Sequence, residues 1–290
     1  MPFPAEDLRL IAVDMDGTLL DGSGLIPDAL WPLLDRLHER GILFAPASGR
    51  QLATLQRAFE GHADDMVFIA ENGGYVGRES EELSSDALDA GFTASLLLRL
   101  RALADRGFDL GVVVCGKGSA YVERVDAAFL GEARRYYARL ETVKDLLEVD
   151  DQILKVAIFD FADAESTAPE LADLRRTHQV VVSGEHWIDV MNQGVNKGVA
   201  LERLQAMLGI TRAQTAVFGD YLNDLEMMDA ADLSFAMANA HPDVLARARH
   251  RAPSNLDHGV ITTIVRLLDG VAGTRALSPG GSLGLPTAVG

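Results

Sequence analysis

The sequence predicts an α/β protein: a parallel-sheet core interrupted by an inserted α+β domain. Three observations carry this. Strand-like apolar runs alternate with helical periodicity at both ends of the chain. The middle third carries two hairpin patterns instead. Polar, glycine-containing motifs stand where the strands of the outer blocks stop.

The first block opens with a strand over Leu8–Val13. A helix follows over Asp28 to Arg40, where Leu30, Leu33, Leu34 and Leu37 recur at helical spacing and Gly41 supplies the stop. Next come a strand at Ile42–Ala47, a helix at Arg50–Glu60 closed by Gly61, and a strand at Met66–Ala70. Strand–helix–strand alternation implies right-handed crossovers and parallel pairing. Pro46 cannot donate to a ladder, so its strand is expected to be irregular near the end.

The alternation resumes late, with helices at Lys197–Leu208, Leu222–Ala230, Pro242–Arg249 and Asp257–Leu268 and strands at Thr215–Phe218 and Leu233–Met237. Between the blocks, Leu110–Cys115 with Ala120–Arg124, and Val180–Ser183 with Trp187–Met191, read as antiparallel hairpins. Ile153–Phe161 is a further strand, and helices are expected near Ala94–Arg106 and Ala127–Leu147. The division that follows is 1–80 and 189–270 for the core, 81–188 for the insertion, and 271–290 for a flexible tail rich in Gly and Pro.

The formal net charge of −17 opposes binding to nucleic acid or an anionic membrane, leaving room only for a local basic pocket. Cys115 is the only cysteine, so an intramolecular disulfide is excluded, and its apolar run makes it a small buried hydrophobe. Neither a secretory pattern nor a bilayer-length apolar run is visible, and the cytoplasm is the default location. Oligomeric state is not encoded in any recognisable pattern.

The most informative stretch is LRLIAVDMDGTLL. Residues two apart on an extended chain point the same way, so Asp14 and Asp16 converge beyond the strand end. Two carboxylates ~4 Å apart repel by about 4 kcal/mol at an effective dielectric of ~20, which a cation, a shared proton or hydrogen bonds must offset. Ser48-Gly49-Arg50 follows the second strand, and Gly219-Asp220-Tyr221-Leu222-Asn223-Asp224 follows a late one. Ligands of open parallel sheets bind beyond the carboxyl ends of strands, so these motifs suit a metal and phosphate site.

Taken singly, each piece has a plainer explanation. Asp16-Gly17 makes a bend, Ser48 caps the next helix, and Asp220 and Asp224 are acids at a helix start. Lys197 is a solvated helix lysine, and Asn72-Gly73 in AENGGYV is a hairpin turn.

Taken together and in this order, DxDGT, a serine after the second strand, a lysine at a late helix start and GDxxND resemble the haloacid dehalogenase superfamily of phosphohydrolases, in its Cof-type sugar-phosphatase branch. The resemblance spans roughly residues 8 to 270 and implies a Rossmann-like core with a C2-type α+β cap. It implies Asp14 as nucleophile, Asp16 as general acid and base, and Ser48, Lys197 and Asn223 at the phosphoryl group. It also implies Mg²⁺ on the Asp14 carboxylate, the Asp16 backbone carbonyl and Asp220, with Asp224, Gly49, Arg50 and Asn72 in support, Arg50 and Asn72 touching substrate. Two departures are Tyr221-Leu222, which could crowd the metal loop, and Pro46.

The expected partner is a small phosphorylated metabolite. Sugar phosphates come first, and flavin mononucleotide and pyridoxal phosphate stay open. A sugar phosphomutase and a non-catalytic metabolite-binding protein on the same scaffold are the alternatives. Substrate choice should rest on the insertion, with the Gly116–Ser119 and Gly184–His186 turns as candidates.

Overall fold

The computed structural model describes residues 7–62, 66–78 and 81–275, with no side-chain detail beyond 270. In chain order its elements begin with β1 (Leu10–Asp14), α1 (Trp31–Glu39), β2 (Leu43–Ala47), α2 (Leu52–Ala58), β3 (Val67–Ala70), β4 (Tyr75–Arg78) and β5 (Glu81–Ser85). The middle holds α3 (Ala90–Asp105), β6 (Leu110–Gly116), β7 (Ala120–Val122), α4 (Ala127–Tyr136), β8 (Leu140–Thr142), β9 (Ile153–Asp160), α5 (Ala164–Thr167), β10 (His178–Val182) and β11 (Trp187–Asn192). The last block is α6 (Lys197–Leu208), β12 (Thr215–Gly219), α7 (Leu225–Asp229), β13 (Leu233–Met237), α8 (Pro242–Arg247), β14 (His250–Ala252) and α9 (Gly259–Arg275).

The two outer blocks share one eight-stranded sheet in the order β14-β13-β12-β1-β2-β3-β4-β5. It is parallel from β14 to β3, and antiparallel where the β3–β4–β5 meander finishes it. β1 lies at the centre, with β12 on one side and β2 on the other. The winding direction reverses there, so a crevice opens at the carboxyl end of β1. Every residue of β1 is buried, as a strand covered on both faces must be.

Pro46 pairs in register with Val13, but β2 meets β3 at only one registered pair, Ala47–Ile69. The break in the ladder therefore falls on the β3 side, next to the loop that carries Ser48.

The insertion forms its own six-stranded sheet, β10-β11-β9-β6-β7-β8. Its two hairpins are antiparallel as expected. Alternation sorts the side chains of β9: Val156 and Ile158 pack with Leu96, Leu100 and Leu103 of α3, while Ala157 and Phe159 pack with Phe129 of α4, Tyr137 and Trp187.

Four boundaries move. β5 belongs to the first sheet, so the insertion starts after Ser85 rather than at residue 81; its polar EELSS has no apolar alternation to reveal it. β11 continues the second sheet to Asn192, past the expected return at 189. The helix expected over Ala127–Leu147 stops at Tyr136. Tyr137 turns extended and is buried beside Trp187, and the next backbone amides are captured by the first domain, Ala138 by Thr54 and Arg139 by Gln51. These tertiary contacts override helical propensity. α9 runs on to Arg275, into the expected tail, and 276–290 lie outside the described residues.

Candidate active site

The site begins where β1 ends. Asp14 is buried, and the chain then turns through Met15–Leu19, with Gly17 at φ 77°. A Cβ on Gly17 would stand 2.3 Å from Asp220 Oδ2, so only glycine permits the two loops to meet this closely. Thr18 donates to Asp220 Oδ1 at 2.7 Å. Asn239 pins the turn by donating to the Gly17 carbonyl at 2.8 Å.

Lys197 opens α6 behind its N-cap Asn196, whose side chain accepts from Val199 N–H at 2.8 Å. Its side chain is fully buried, and Nζ donates to Asp14 Oδ1 at 2.5 Å and Asp224 Oδ1 at 2.6 Å. Burial alone would lower this ammonium, but Asp14 and Asp224 outweigh it and hold its pKa above the usual range. The plainer expectation of a solvated lysine is thereby set aside.

Asp224 organises the last loop. Its second oxygen accepts from Asp220 N–H at 2.9 Å and Tyr221 N–H at 3.1 Å. The Tyr221 ring lies edge-on to His241, centroids 5.8 Å apart.

Carboxylate oxygens of Asp14, Asp220 and Asp224 lie within 4.8 Å of one another. Burial first, and the Asp224 charge second, push Asp14 well above the ordinary carboxylate value and Asp220 up to about 7. Three carboxylates face one ammonium, leaving two negative charges without a counterion in a buried place. An all-oxygen set of this kind suits a hard divalent cation such as Mg²⁺. The Gly17 cradle, which any Cβ would fill, keeps Asp220 accessible to it.

Asp16 stands apart from that trio. It is half-exposed, and Arg50 grips it with a fork, Nε to Oδ2 at 2.8 Å and Nη2 to Oδ1 at 2.5 Å. Only its backbone carbonyl is left for the ligand role expected of it, and Asp224, expected as support, takes a place among the clustered carboxylates. Ser48 is buried, and its Oγ accepts from Arg50 N–H at 3.1 Å. It does not cap α2, whose N-cap is Gln51.

A cavity of about 410 Å³ opens over these residues, lined on the first domain by Asp14, Asp16, Ser48, Asp220 and Asn223. The inserted domain supplies aromatic rings (Tyr136, Phe159 and Trp187) and the turn Ser183–His186. Of the two candidate turns, Gly184–His186 therefore faces the site, whereas Gly116–Gly118 lines a separate cavity.

Arg50 and Asn72, expected to touch substrate, are both engaged within the protein. Neither is among the lining residues: Arg50 holds Asp16, and Asn72 is buried between Asp189 and Asn223.

Sequence reasoning missed Lys155 and Asp189. Both are buried on inserted-domain strands, and both line the cavity. The available signal was a charge in the interior of each of two apolar strands, ILKVAIFD and WIDVM, on the face shared with Phe159 and Trp187.

A family model described as haloacid dehalogenase-like hydrolase matches residues 11–264. This chain belongs to that family. Among curated relatives, it is 34% identical over 266 residues to the 5-amino-6-(5-phospho-D-ribitylamino)uracil phosphatase YbjI of Escherichia coli, covering 90% of this chain and 96% of that protein. It is 30% identical to the HMP-PP phosphatase of Cronobacter sakazakii, covering 83% and 88%. Among solved structures, SMU.1108c from Streptococcus mutans UA159 superposes with a TM-score of 0.82 at 26% identity, covering 90% of this chain and 99% of that one. A haloacid dehalogenase-like hydrolase from B. subtilis shares the fold, with a TM-score of 0.79 at 23% identity over 90% and 100% of the two chains. This hydrolase falls in the Cof-type branch, and its enzyme class is phosphoric monoester hydrolase. No helix among the described residues is long and apolar enough to cross a membrane.

Proposed function

We propose that this hydrolase removes phosphate from a small phosphorylated metabolite through an aspartyl-phosphate formed on Asp14, with Mg²⁺ held by Asp14, Asp220 and the Asp16 carbonyl. The observation that carries the reading is the buried contact of Lys197 with both Asp14 and Asp224, at the mouth of a strand that also delivers Asp16.

The Asp14 carboxylate attacks phosphorus, and the bond from phosphorus to the leaving oxygen breaks. Asp16 gives that oxygen its proton. A water then attacks the phosphorus of the aspartyl-phosphate, Asp16 takes the proton, and the bond to Asp14 breaks to release phosphate. Lys197 keeps Asp14 aimed and offsets negative charge; Ser48 and Asn223 offer donors to the phosphoryl oxygens. Arg50 now holds both Asp16 oxygens, so at least one must be freed before Asp16 meets the leaving group. When bound, Mg²⁺ supplies charge neutralisation for the phosphoryl group.

The leaving group would rest against Tyr136, Phe159, Trp187 and His186. That wall suits a planar ring as well as a sugar, and two relatives bear the name of a phosphatase for a phosphorylated ribitylaminouracil, which carries a ring. The proposed substrates are therefore sugar phosphates together with phosphorylated metabolites carrying a heterocycle.

The test is phosphate release from a panel of such compounds in Mg²⁺, comparing wild type with Asp14→Asn. The wild type is expected to turn over at least one class, and the Asp14→Asn enzyme none. Near-wild-type release by the variant would remove Asp14 as nucleophile.

A further inference from the structure

A second group of buried charges lies where the inserted domain meets the core. Lys155, from β9, sends Nζ to Glu71 Oε2 at 2.8 Å, to Asp189 Oδ1 at 3.3 Å and to the Gly49 carbonyl at 2.7 Å. Asp189, from β11, accepts from Asn72 Nδ2 at 2.5 Å. Asn72 in turn accepts from Asn223 Nδ2 at 3.0 Å and donates its backbone N–H to the Ser48 carbonyl at 2.9 Å. Glu71, Asn72, Lys155 and Asp189 are each at most 3% exposed.

The turn they hold is strained. Glu71 and Asn72 both have positive φ, 50° and 55°. Asparagine tolerates that region, but glutamate does not adopt it without cost, about 1–3 kcal/mol. Such a conformation persists only where its surroundings over-determine it.

Mere adhesion between domains would not select this arrangement. Each buried ion carries a desolvation penalty of several kcal/mol, and apolar residues of similar volume often serve stability as well or better. Here two carboxylates face one lysine, and Glu71 Oε1 has no hydrogen-bond partner among the described residues. What the charges do accomplish is directional. They fix the Ser48–Gly49 loop and the Asn223 amide from the inserted domain.

We infer that Lys155 and Asp189 are positioning residues for phosphoryl transfer, setting Ser48, Gly49 and Asn223 through the left-handed Glu71–Asn72 turn. The inference rests on the phosphatase reading above and adds to it that the inserted domain shapes the phosphoryl site as well as the leaving-group wall.

The test is steady-state hydrolysis of p-nitrophenyl phosphate in Mg²⁺, normalised to folded protein. Asn72→Gly is the central variant, since glycine accepts the positive φ and removes only the amide bridge. Its kcat is expected to fall about tenfold to a hundredfold while KM changes less than about threefold. Lys155→Met should behave alike, and the double variant should be no slower than the worse single one, because both act on one path. Wild-type kcat in Asn72→Gly would overturn the inference, whether or not Lys155→Met folds. Additive losses in the double variant would also overturn the shared path. A wild type that hydrolyses neither this ester nor the metabolite panel would instead sink the phosphatase reading beneath it.

Discussion

Two lysines are buried in this protein among carboxylates, and their surroundings differ in charge balance and in what their polar groups hold. Lys197 sits with Asp14 and Asp224, and Asp220 is close by; Asp14 and Asp220 line the cavity, with Lys197 and Asp224 behind them. Lys155 sits with Glu71 and Asp189 at the wall of the same cavity, with its Nζ on the Gly49 carbonyl and Asn72 on Asp189. The first group keeps a larger unbalanced negative charge and concentrates it where a cation and a phosphoryl group can share it. The second spends its polar contacts on neighbouring loops. On the two proposals above, burial of charge would serve reactivity in one place and alignment in the other.

Removing each lysine tests that contrast most severely. Lys197→Met should lower kcat by about 10³-fold or more, since the donor beside the attacking oxygen is lost. Both Lys197→Met and Lys155→Met should destabilise the fold by about 3–5 kcal/mol, because each strands buried carboxylates. Chemical denaturation measures the shared loss, and kcat per folded molecule separates the two. Equal rate losses would erase the distinction.

A smaller effect concerns pH. The folded-state value of Asp220, about 7, lies above the ordinary carboxylate value of about 4. The stability linked to this group is complete below about 4 and is lost as pH rises through about 7. Asp14, raised mainly by burial, adds in the same direction. Metal-free protein should therefore melt at a lower temperature near pH 8 than near pH 5, with Asp220→Asn flattening the slope. Mg²⁺ at about 100 times its Kd should recover about 2.7 kcal/mol, and most visibly at the alkaline end. A melting temperature that climbs with pH in chelator, or is indifferent to Mg²⁺, would contradict the carboxylate group as drawn.

Smaller again is Thr18→Val, which leaves Asp220 Oδ1 without its 2.7 Å donor at nearly constant volume. A cost of about 1–3 kcal/mol is expected by denaturation. Least of all should be the response of Cys115, buried beside Tyr137, with its thiol pKa pushed up by burial. A thiol reagent at pH 8 should modify it only on unfolding, and rapid labelling of the native protein would contradict its burial.

Much of this arrangement was legible in the chain because its signals are local. The run into Asp14 alternates nothing and ends on two acids and a glycine, which is how a strand buried on both faces reaches a site. α6 and β13 fall on their expected residues, Lys197–Leu208 and Leu233–Met237, since periodicity and flanking turns agree there. What escaped depends on partners far along the chain. Tyr137 leaves the helical path because Trp187 and the first domain claim its neighbourhood. Lys155 reads as a stray charge until Glu71, far earlier in the chain, is brought beneath it by the fold. The Arg50 fork on Asp16 likewise shows only once the fold brings the two loops together.

The seam between the two sheets has a practical meaning for anyone exchanging inserted domains to obtain new specificities. A donor segment chosen only for the rings and turn that greet the leaving group would arrive without a cation and an acid at the strand positions of Lys155 and Asp189. The recipient's Glu71–Asn72 bend would then relax, and the chimaera would bind its intended compound yet turn it over poorly.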